Sequence, residues 1–422
     1  MNEQPTTSPP ATVTLPYQCP GESMPVTAAV HLSRLATGWH ACRECPQRRE
    51  LGHLVTRLVR ETSGYERPER SLFTRDGVRG LYCNELTRKS IAEIASAVAL
   101  IFWEEHNPED PLRPRVRPGE QTIDLSLRRQ RRAFGLDEQI VPPPHLPTQE
   151  PRIVLGYDPR ASSPDLAIGV AESLRKWGCH VLAAGMVSRP ELDFAVQAHK
   201  AQGGVYITGG TSPVNWNGMD VVDDHGWSWT LDHDWERVAQ MLPKGVARPV
   251  RVSGHLESIA VRQQYVDSLR FDWNGLRPLR LGVVSACSTA AWILPELAQA
   301  SAVTLHLERT GQVMGGTLDP PDAIADSLYD WIQSAELDCG VVIGSDGRSC
   351  YLMDERGEIL LPEHAVQLLQ FGAFPEVTTD EVGRYWLRPG KSQCDALRTL
   401  ARCLQSISRD DRPVSEWYQV RS

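Results

Sequence analysis

The chain has 422 residues, a formal net charge of −9, 41% hydrophobic and 23% charged residues. That length accommodates two or three ordinary domains with their own apolar cores, and the acidic balance disfavours a general nucleic-acid binder. No apolar run approaches the ~20 residues of a membrane span, so a soluble, cytoplasmic protein with neither nucleic-acid nor membrane partners is expected.

Residues 1–16 are polar, rich in Pro and Thr, and lack a charged n-region and an apolar h-region; they read as a disordered tail. Residues 17–70 read as a small module containing Cys19, His31, His40, Cys42, Cys45 and His53. Cys42 and Cys45 form a C-x-x-C knuckle, and with Cys19 and His31 upstream they supply the four N/S ligands of a structural zinc site, His40 or His53 being alternative fourth ligands. A segment of about 50 residues gains particularly from such a staple. Unliganded thiols are the alternative; a redox role lacks the βαβ pattern that should follow it. Other cysteines, such as Cys179, Cys287 and Cys339, fall in apolar segments and read as reduced core thiols.

Ser90–Trp103 is apolar enough for a helix buried on most of its surface. Residues 104–151 then change character, with nine prolines and seven arginines between Arg113 and Arg132. They read as a surface insertion, with one short helix at Leu125–Phe134. From Arg152 short apolar runs alternate with helical ones, as in βαβ units. Strands are expected at Ile153–Gly156, His180–Ala184 and Val205–Thr208, with helices at Asp165–Trp177 and Pro190–Gln202. A second unit follows: strands Leu281–Ser285, Val303–Leu307 and Gly340–Ile343, and helices Ala290–Ala300 and Asp322–Ala335. Glu363–Gln370 and Cys394–Ser408 read as further helices.

Six short motifs lie in this frame: Ser71–Gly80 (SLFTRDGVRG), Gly156–Ser163 (GYDPRASS), Gly185–Pro190 (GMVSRP), Ile207–Gly218 (ITGGTSPVNWNG), Asp338–Ser349 (DCGVVIGSDGRS) and Met353–Gly357 (MDERG). In this order they resemble the α-D-phosphohexomutases (phosphoglucomutase/phosphomannomutase), which write F-G-T-D-G-I-R-G, G-x-D-x-R-x-S-S, G-x-V-(S/P)-T-P, the serine loop T-(A/G)-S-H-N-P-x-x-(Y/W)-N-G-x-K, the metal loop D-x-G-x-x-x-D-G-D-x-D-R, and V-D-E-x-G. Arg412–Glu416 is similar to a later K-x-L-S-E. The resemblance implies an α/β protein: two phosphohexomutase-type α/β domains with mixed or parallel sheets at 71–252 and 253–357, a truncated third domain at 358–422 and no fourth.

The resemblance also implies a lost chemistry. The family's phosphoserine falls on Gly210, its His on Thr211, its Asn on Ser212 and its Lys on Asp220; Arg189 replaces Thr. Phosphoryl transfer depends on an in-line oxygen and a metal, and Gly210 has no side-chain oxygen. The three metal-ligand aspartates fall on Gly344, Asp346 and Arg348, and the family's Arg on Ser349. One carboxylate beside an arginine is not expected to retain Mg²⁺, and Arg348 is a candidate to stand in the metal's place. Arg79 and Arg160 fall on family arginines, Gly209 and Gly210 offer a backbone anion nest, and Thr211 and Ser212 add hydroxyls, so weak hexose-phosphate or phosphate binding is expected. The bland counterpart is that Asp76, Arg79 and Asp158 pin loops together. The expectation is a family protein without mutase activity, serving binding, regulation or assembly, with another protein such as an active mutase as partner. The alternatives are an active mutase using displaced residues and a ligand-free scaffold.

Overall fold

The computed structural model describes residues 17–19, 23–36, 45–47, 68, 70–106, 150–242, 249–250, 252–310, 322–370, 377–387 and 394–417. The chain divides into a unit of residues 1–69 with 83–85 and a unit comprising the rest. In the first, α1 (Ala28–Ala36) carries His31, whose ring stacks on Tyr17 at a centroid distance of 4.0 Å. Residues 107–149, including the expected helix 125–134, lie outside the described residues.

The second unit holds two α/β layers. The first is a seven-stranded mixed sheet of order β1-β2-β6-β5-β3-β4-β7. Its strands are β1 (Phe73–Thr74), β2 (Gly77–Leu81), β3 (Arg152–Tyr157), β4 (His180–Met186), β5 (Gly203–Ile207), β6 (Trp216–Asp223) and β7 (Leu256–Ser258). The β3, β4, β5 and β7 pairings are parallel, whereas β6 runs antiparallel to both β5 and β2. Central β3 is buried on both faces, as a continuous apolar run in a parallel sheet should be. Ile153 and Leu155 join one core with helices α2 (Arg88–His106) and α3 (Ser163–Lys176), while Val154 joins another with α4 (Arg189–Ala198).

Local chemistry fixes these helices. α3 starts with Pro164 in its first turn beside Asp165, and ends on Arg175 and Lys176, charges that complement the helix dipole. α4 opens with a capping box in which Ser188 and Glu191 satisfy each other's backbone N–H groups. A short α5 (Glu236–Met241) closes the layer beneath Trp229 and Trp235, whose rings meet at 5.6 Å.

The second layer is a four-stranded sheet, β11-β10-β8-β9, built from β8 (Leu279–Ser285), β9 (Val303–Arg309), β10 (Cys339–Ile343) and β11 (Cys350–Met353). β8 is parallel to β9 and β10, and β11 returns antiparallel. Helices α6 (Val261–Trp273), α7 (Ser288–Gln299) and α8 (Asp322–Ala335) accompany it.

The helices and parallel strands thus lie where periodicity places them, within a few residues. Two boundaries move. β7 pairs with β4, so the first layer runs through Ser258 rather than ending at residue 252; a three-residue strand leaves too little pattern to read. The C-terminal segment, expected as a third-domain remnant, packs into the second layer's own core. α9 (Pro362–Gln370), the two-residue strands β12 (Thr378–Thr379) and β13 (Tyr385–Trp386), and α10 (Ala396–Ile407) contribute Leu368, Tyr385, Leu400 and Leu404 to one cluster with Tyr265, Leu281 and Val341. Arg398 and Arg402 of α10 both reach Asp272 of α6, at 3.0 and 2.7 Å, and Asp272 is buried.

If α10 completes that core, Leu400→Ala, at a fully buried position, should destabilise the second layer by about 2–5 kcal/mol. Urea denaturation followed by near-UV circular dichroism measures it. A loss within ~0.5 kcal/mol, the range of ordinary surface substitutions, would show that the segment is an appendage.

Candidate functional site

Gly156–Ser163 ends β3 and enters α3, and Thr208–Asn215 links β5 to β6 at the same end of the sheet. The Asp158–Arg160 pair holds these loops together. Arg160 Nε donates to Asp158 Oδ2 at 3.1 Å; Nη1 donates to the carbonyls of Pro213 (2.6 Å) and Trp216 (3.0 Å), and Nη2 to those of Gly210 and Ser212 (both 2.8 Å). A guanidinium has five N–H donors, and these five contacts engage all of them. Burial pulls the Arg160 pKa down and Asp158 counters it. Asp158 in turn accepts from the backbone N–H groups of Arg160 (3.1 Å) and Gly209 (3.3 Å) and from the Ser163 hydroxyl. Asn217 Nδ2 then ties Ser162 and Ser163 to β6, at 2.7 and 2.9 Å.

This arrangement gives both candidate anion-binding features protein partners. Arg160 is turned onto loop carbonyls, with its donors engaged by protein, and the Gly209–Gly210 nest is filled from within. Gly209 N–H points at the Asp158 carboxylate and Gly210 N–H donates to Thr208 Oγ1 at 2.9 Å. Ser212 N–H closes the turn onto Gly209 O at 3.0 Å, and Thr211 is exposed. Gly210 itself adopts φ +56°, a left-handed conformation that costs a side-chain-bearing residue ~1–2 kcal/mol.

Arg79, on β2, lies against Gly210: a Cβ there would stand 3.0 Å from Arg79 Nη2. Its charge is already paired. Nη1 is 2.6 Å from Asp220 Oδ1, an ionic contact without aligned hydrogen-bond geometry, and the guanidinium also donates to the carbonyls of Val78 and Asp76. Arg189, at the start of α4, donates to Asp193 Oδ1 (2.9 Å) and Ser228 Oγ (3.0 Å) and lies 3.9 Å from Asp220 Oδ2. Burial raises the Asp193 carboxyl pKa, against the Arg189 and Arg348 charges that lower it.

The β10–β11 turn brings the remaining motif positions. Arg348 Nε donates to Asp346 Oδ2 at 2.8 Å, its backbone N–H to Oδ1 at 2.9 Å, and Arg384 approaches the same carboxylate at 4.0 Å. Burial alone would raise the Asp346 carboxyl; Arg348 and Arg384 outweigh it and hold it below the usual aspartate range. Burial opposes the Arg348 charge, and Asp346 reverses this and lifts its pKa. At Gly344 a Cβ would fall 2.2 Å from the hydroxyl of fully buried Ser349, so an aspartate there requires Ser349 to move. Asp158, Arg160, Thr208, Gly210, Ser212 and Asp346 all line one small cavity of about 30 Å³.

Of the expected zinc ligands, Cys42 lies outside the described residues. Cys19, His31 and Cys45 are buried. Among the described residues, the group of three or more donor side chains whose ligand atoms lie within 4.8 Å of one another is Asp223, Asp224 and His225, at the end of β6. No helix among the described residues is long and apolar enough to cross a membrane. The sequence pointed to most positions of the site, but the roles of Asp193, Arg384 and Ser228 carried no motif and emerge only from the packing.

Residues 142–243 match the family described as phosphoglucomutase/phosphomannomutase, alpha/beta/alpha domain I. A Methanosphaera stadtmanae protein named "Probable phosphoglucosamine mutase" is 23% identical over 257 residues, 59% of this chain and 57% of that protein. The Escherichia coli phosphomannomutase is 28% identical over 234 residues, 52% of this chain and 51% of its own length. The chain therefore spans little more than half the length of the curated relatives it matches. A crystal structure of a phosphoglucomutase/phosphomannomutase family protein from Burkholderia thailandensis shares the fold, with TM-score 0.63 and 19% identity over 84% of this chain and 80% of that one. Residues 142–243 thus carry the similarity to domain I of this family, and the fold is shared over most of the chain.

Because one ammonium with three donors cannot replace a planar fork serving five acceptors, Arg160→Lys should lose about 3–5 kcal/mol of stability. Retention of wild-type stability in denaturant would show the loop to be held elsewhere. Asp346, with a depressed folded pKa, contributes stability that is complete above the unfolded aspartate value of about 3.9 and is lost as pH falls through the lower folded value. Asp346→Asn should therefore lower stability at pH 7 and flatten its decline below pH ~4, as read from melting temperature against pH.

Proposed function

We propose that this chain is a phosphohexomutase-family protein that does not turn over hexose phosphates and acts by binding, regulation or assembly. The observation that carries this reading is the left-handed Gly210, clamped by Arg160 through its carbonyl, at the position where the resemblance puts the phosphoserine. A neighbouring hydroxyl is a poor substitute. Consecutive Cα atoms lie about 3.8 Å apart, and a misplacement of ~1 Å can cost on the order of 100-fold in rate. Thr208, the nearest buried hydroxyl, already accepts the Gly210 N–H.

The residues at the metal loop do not fit Mg²⁺, which is bound through one or two carboxylates plus substrate oxygens and waters. Gly344 supplies no ligand, Arg348 supplies a positive charge, and the carboxylate of Asp346 is taken by Arg348 and Arg384. Asp346 and Arg160 line the small cavity beside it. Arg79 beside Gly210 favours, as a second reading, a weak site for a phosphate group alone.

Purified protein given glucose 1-phosphate or mannose 1-phosphate, bisphosphate activator and Mg²⁺ in a coupled assay should show the background rate, and its intact mass should carry no phosphoryl group. Turnover above background would overturn the proposal. Gly210→Ser should restore no activity and should cost ~1–2 kcal/mol from the strained φ. Glucose 1-phosphate at 1 mM should leave the melting temperature unchanged within about 1 °C; a binder with Kd near 10 µM would add about 2.7 kcal/mol and raise it by several degrees.

A further inference from the structure

The Cys/His segment lies outside the motifs that carry the resemblance and has no part in the proposed function. Among the described residues of the first unit, the buried side chains are Cys19, His31 and Cys45, at 5%, 1% and 3% exposure. The apolar side chains lie outside them: Met24 is 70% exposed, and Val30, next to His31 on α1, is 40% exposed. Hydrophobic burial by itself would put the methionine and the valine inside and leave the imidazole half exposed. The described part of this unit is thus organised around its N/S donors.

The buried thiols of the α/β unit have different surroundings. Cys179 sits in one apolar cluster and Cys287 and Cys339 in another, and burial pushes the Cys179 and Cys339 thiols up to about 12 and that of Cys287 up to about 11. Neither cluster contains Cys19 or Cys45. A reduced core thiol, the plainer reading of a buried cysteine, therefore describes the α/β layers and not the first unit.

Local structure ties together the segments that carry Cys19 and His31. Tyr17 and Val26 exchange backbone hydrogen bonds of 2.7 and 3.3 Å, which sets the stretch ending at Cys19 against the residues leading into α1. Thr27 starts that helix, its hydroxyl accepting the Val30 N–H at 3.3 Å and its carbonyl the His31 N–H at 2.9 Å. His31 then lies on Tyr17 with the ring planes 5° apart. Stacking uses the face of the imidazole, whereas ligation uses a nitrogen at its edge. Cys45 stands directly before the turn at 46–47. Asp223, Asp224 and His225, whose ligand atoms are gathered, differ in kind. Asp224 and His225 are exposed, and Asp223 Oδ1 accepts the His225 and Trp227 N–H groups at 2.9 and 2.8 Å, so this is a turn bonded within itself.

We propose that Cys19, His31 and Cys45 are ligands of one structural zinc ion that orders the first unit. Two thiolates and an imidazole form a soft donor set that suits zinc and not magnesium or calcium. A structural zinc takes four ligands, and Cys42, the other half of the C-x-x-C pair, lies outside the described residues. The thiols lose their protons as they ligate and the ion draws the donors onto one point, so binding and ordering of the unit go together. The site is independent of whether the α/β unit turns over a hexose phosphate.

Metal analysis of the full chain, purified without chelator, tests it and should find about one zinc per chain. Cys19→Ser and Cys45→Ser should each lower the zinc content severalfold, whereas Cys179→Ala, which removes a thiol of the apolar core, should leave it unchanged. Cobalt(II) exchanged into the wild type should give the visible absorption of a tetrahedral thiolate site, and His31→Gln should shift that spectrum. If the ligand variants fail to fold, a mercurial thiol reagent added to the wild type should release its zinc, which keeps the test open without them. A wild-type chain that takes up neither zinc nor cobalt, zinc that the thiol reagent leaves in place, or folded Cys19→Ser and Cys45→Ser variants with full zinc content would each overturn the site.

Discussion

The Asp158–Arg160 pair is the constraint on which the rest of the site depends. A guanidinium can be buried only when its charge and its N–H groups are satisfied. Arg160 meets both requirements by drawing four carbonyls of the β5–β6 connection around itself while Asp158 neutralises it. The same carboxylate caps Ser163 and Gly209. Two loops distant in sequence thus become one rigid edge, and the conformation of Gly210 follows from that edge. The motif G-x-D-x-R-x-S-S therefore has a structural explanation sufficient in itself, independent of any ligand.

A buried ion network is weak evidence for net stability, since an apolar replacement of similar volume can be as stable. Its physical value is that it tolerates only one arrangement. Along the junction of the layers every carboxylate faces a guanidinium: Asp220 faces Arg79, Asp193 faces Arg189 and Asp346 faces Arg348.

The C-terminal segment shows a comparable economy in the apolar part of the molecule. α10 buries Ala396, Leu397, Leu400, Ala401, Leu404 and Ile407 at helical spacing, and its N-cap Asp395 accepts the Arg398 N–H. That stripe is too wide for an exposed helix, and in the structure it covers α6 and β11. Residues expected as a third-domain remnant share one apolar cluster with the second layer.

What the sequence determined alone is local and periodic. The apolar run Ile153–Leu155, the capping box at Ser188 and the stripe of α10 each specify their element within a few residues, because strand and helix periods and cap chemistry act over one or two turns. The ordered motifs carried the resemblance, and they singled out Gly210, Gly344 and Arg348 as positions that depart from its pattern. What they could not give is the direction in which Arg160 points, the presence of Asp158 inside the glycine nest, or the meeting of the Arg189 N–H with the Asp346 carbonyl. These depend on which loops meet, and donors and acceptors separated by some 50 to 150 residues in sequence carry no mark of one another. Strand β7 and the destination of α10 were hidden for a related reason: a three-residue edge pairing and the choice of which core a helix joins are settled by the surfaces already formed, and only the tertiary structure contains them.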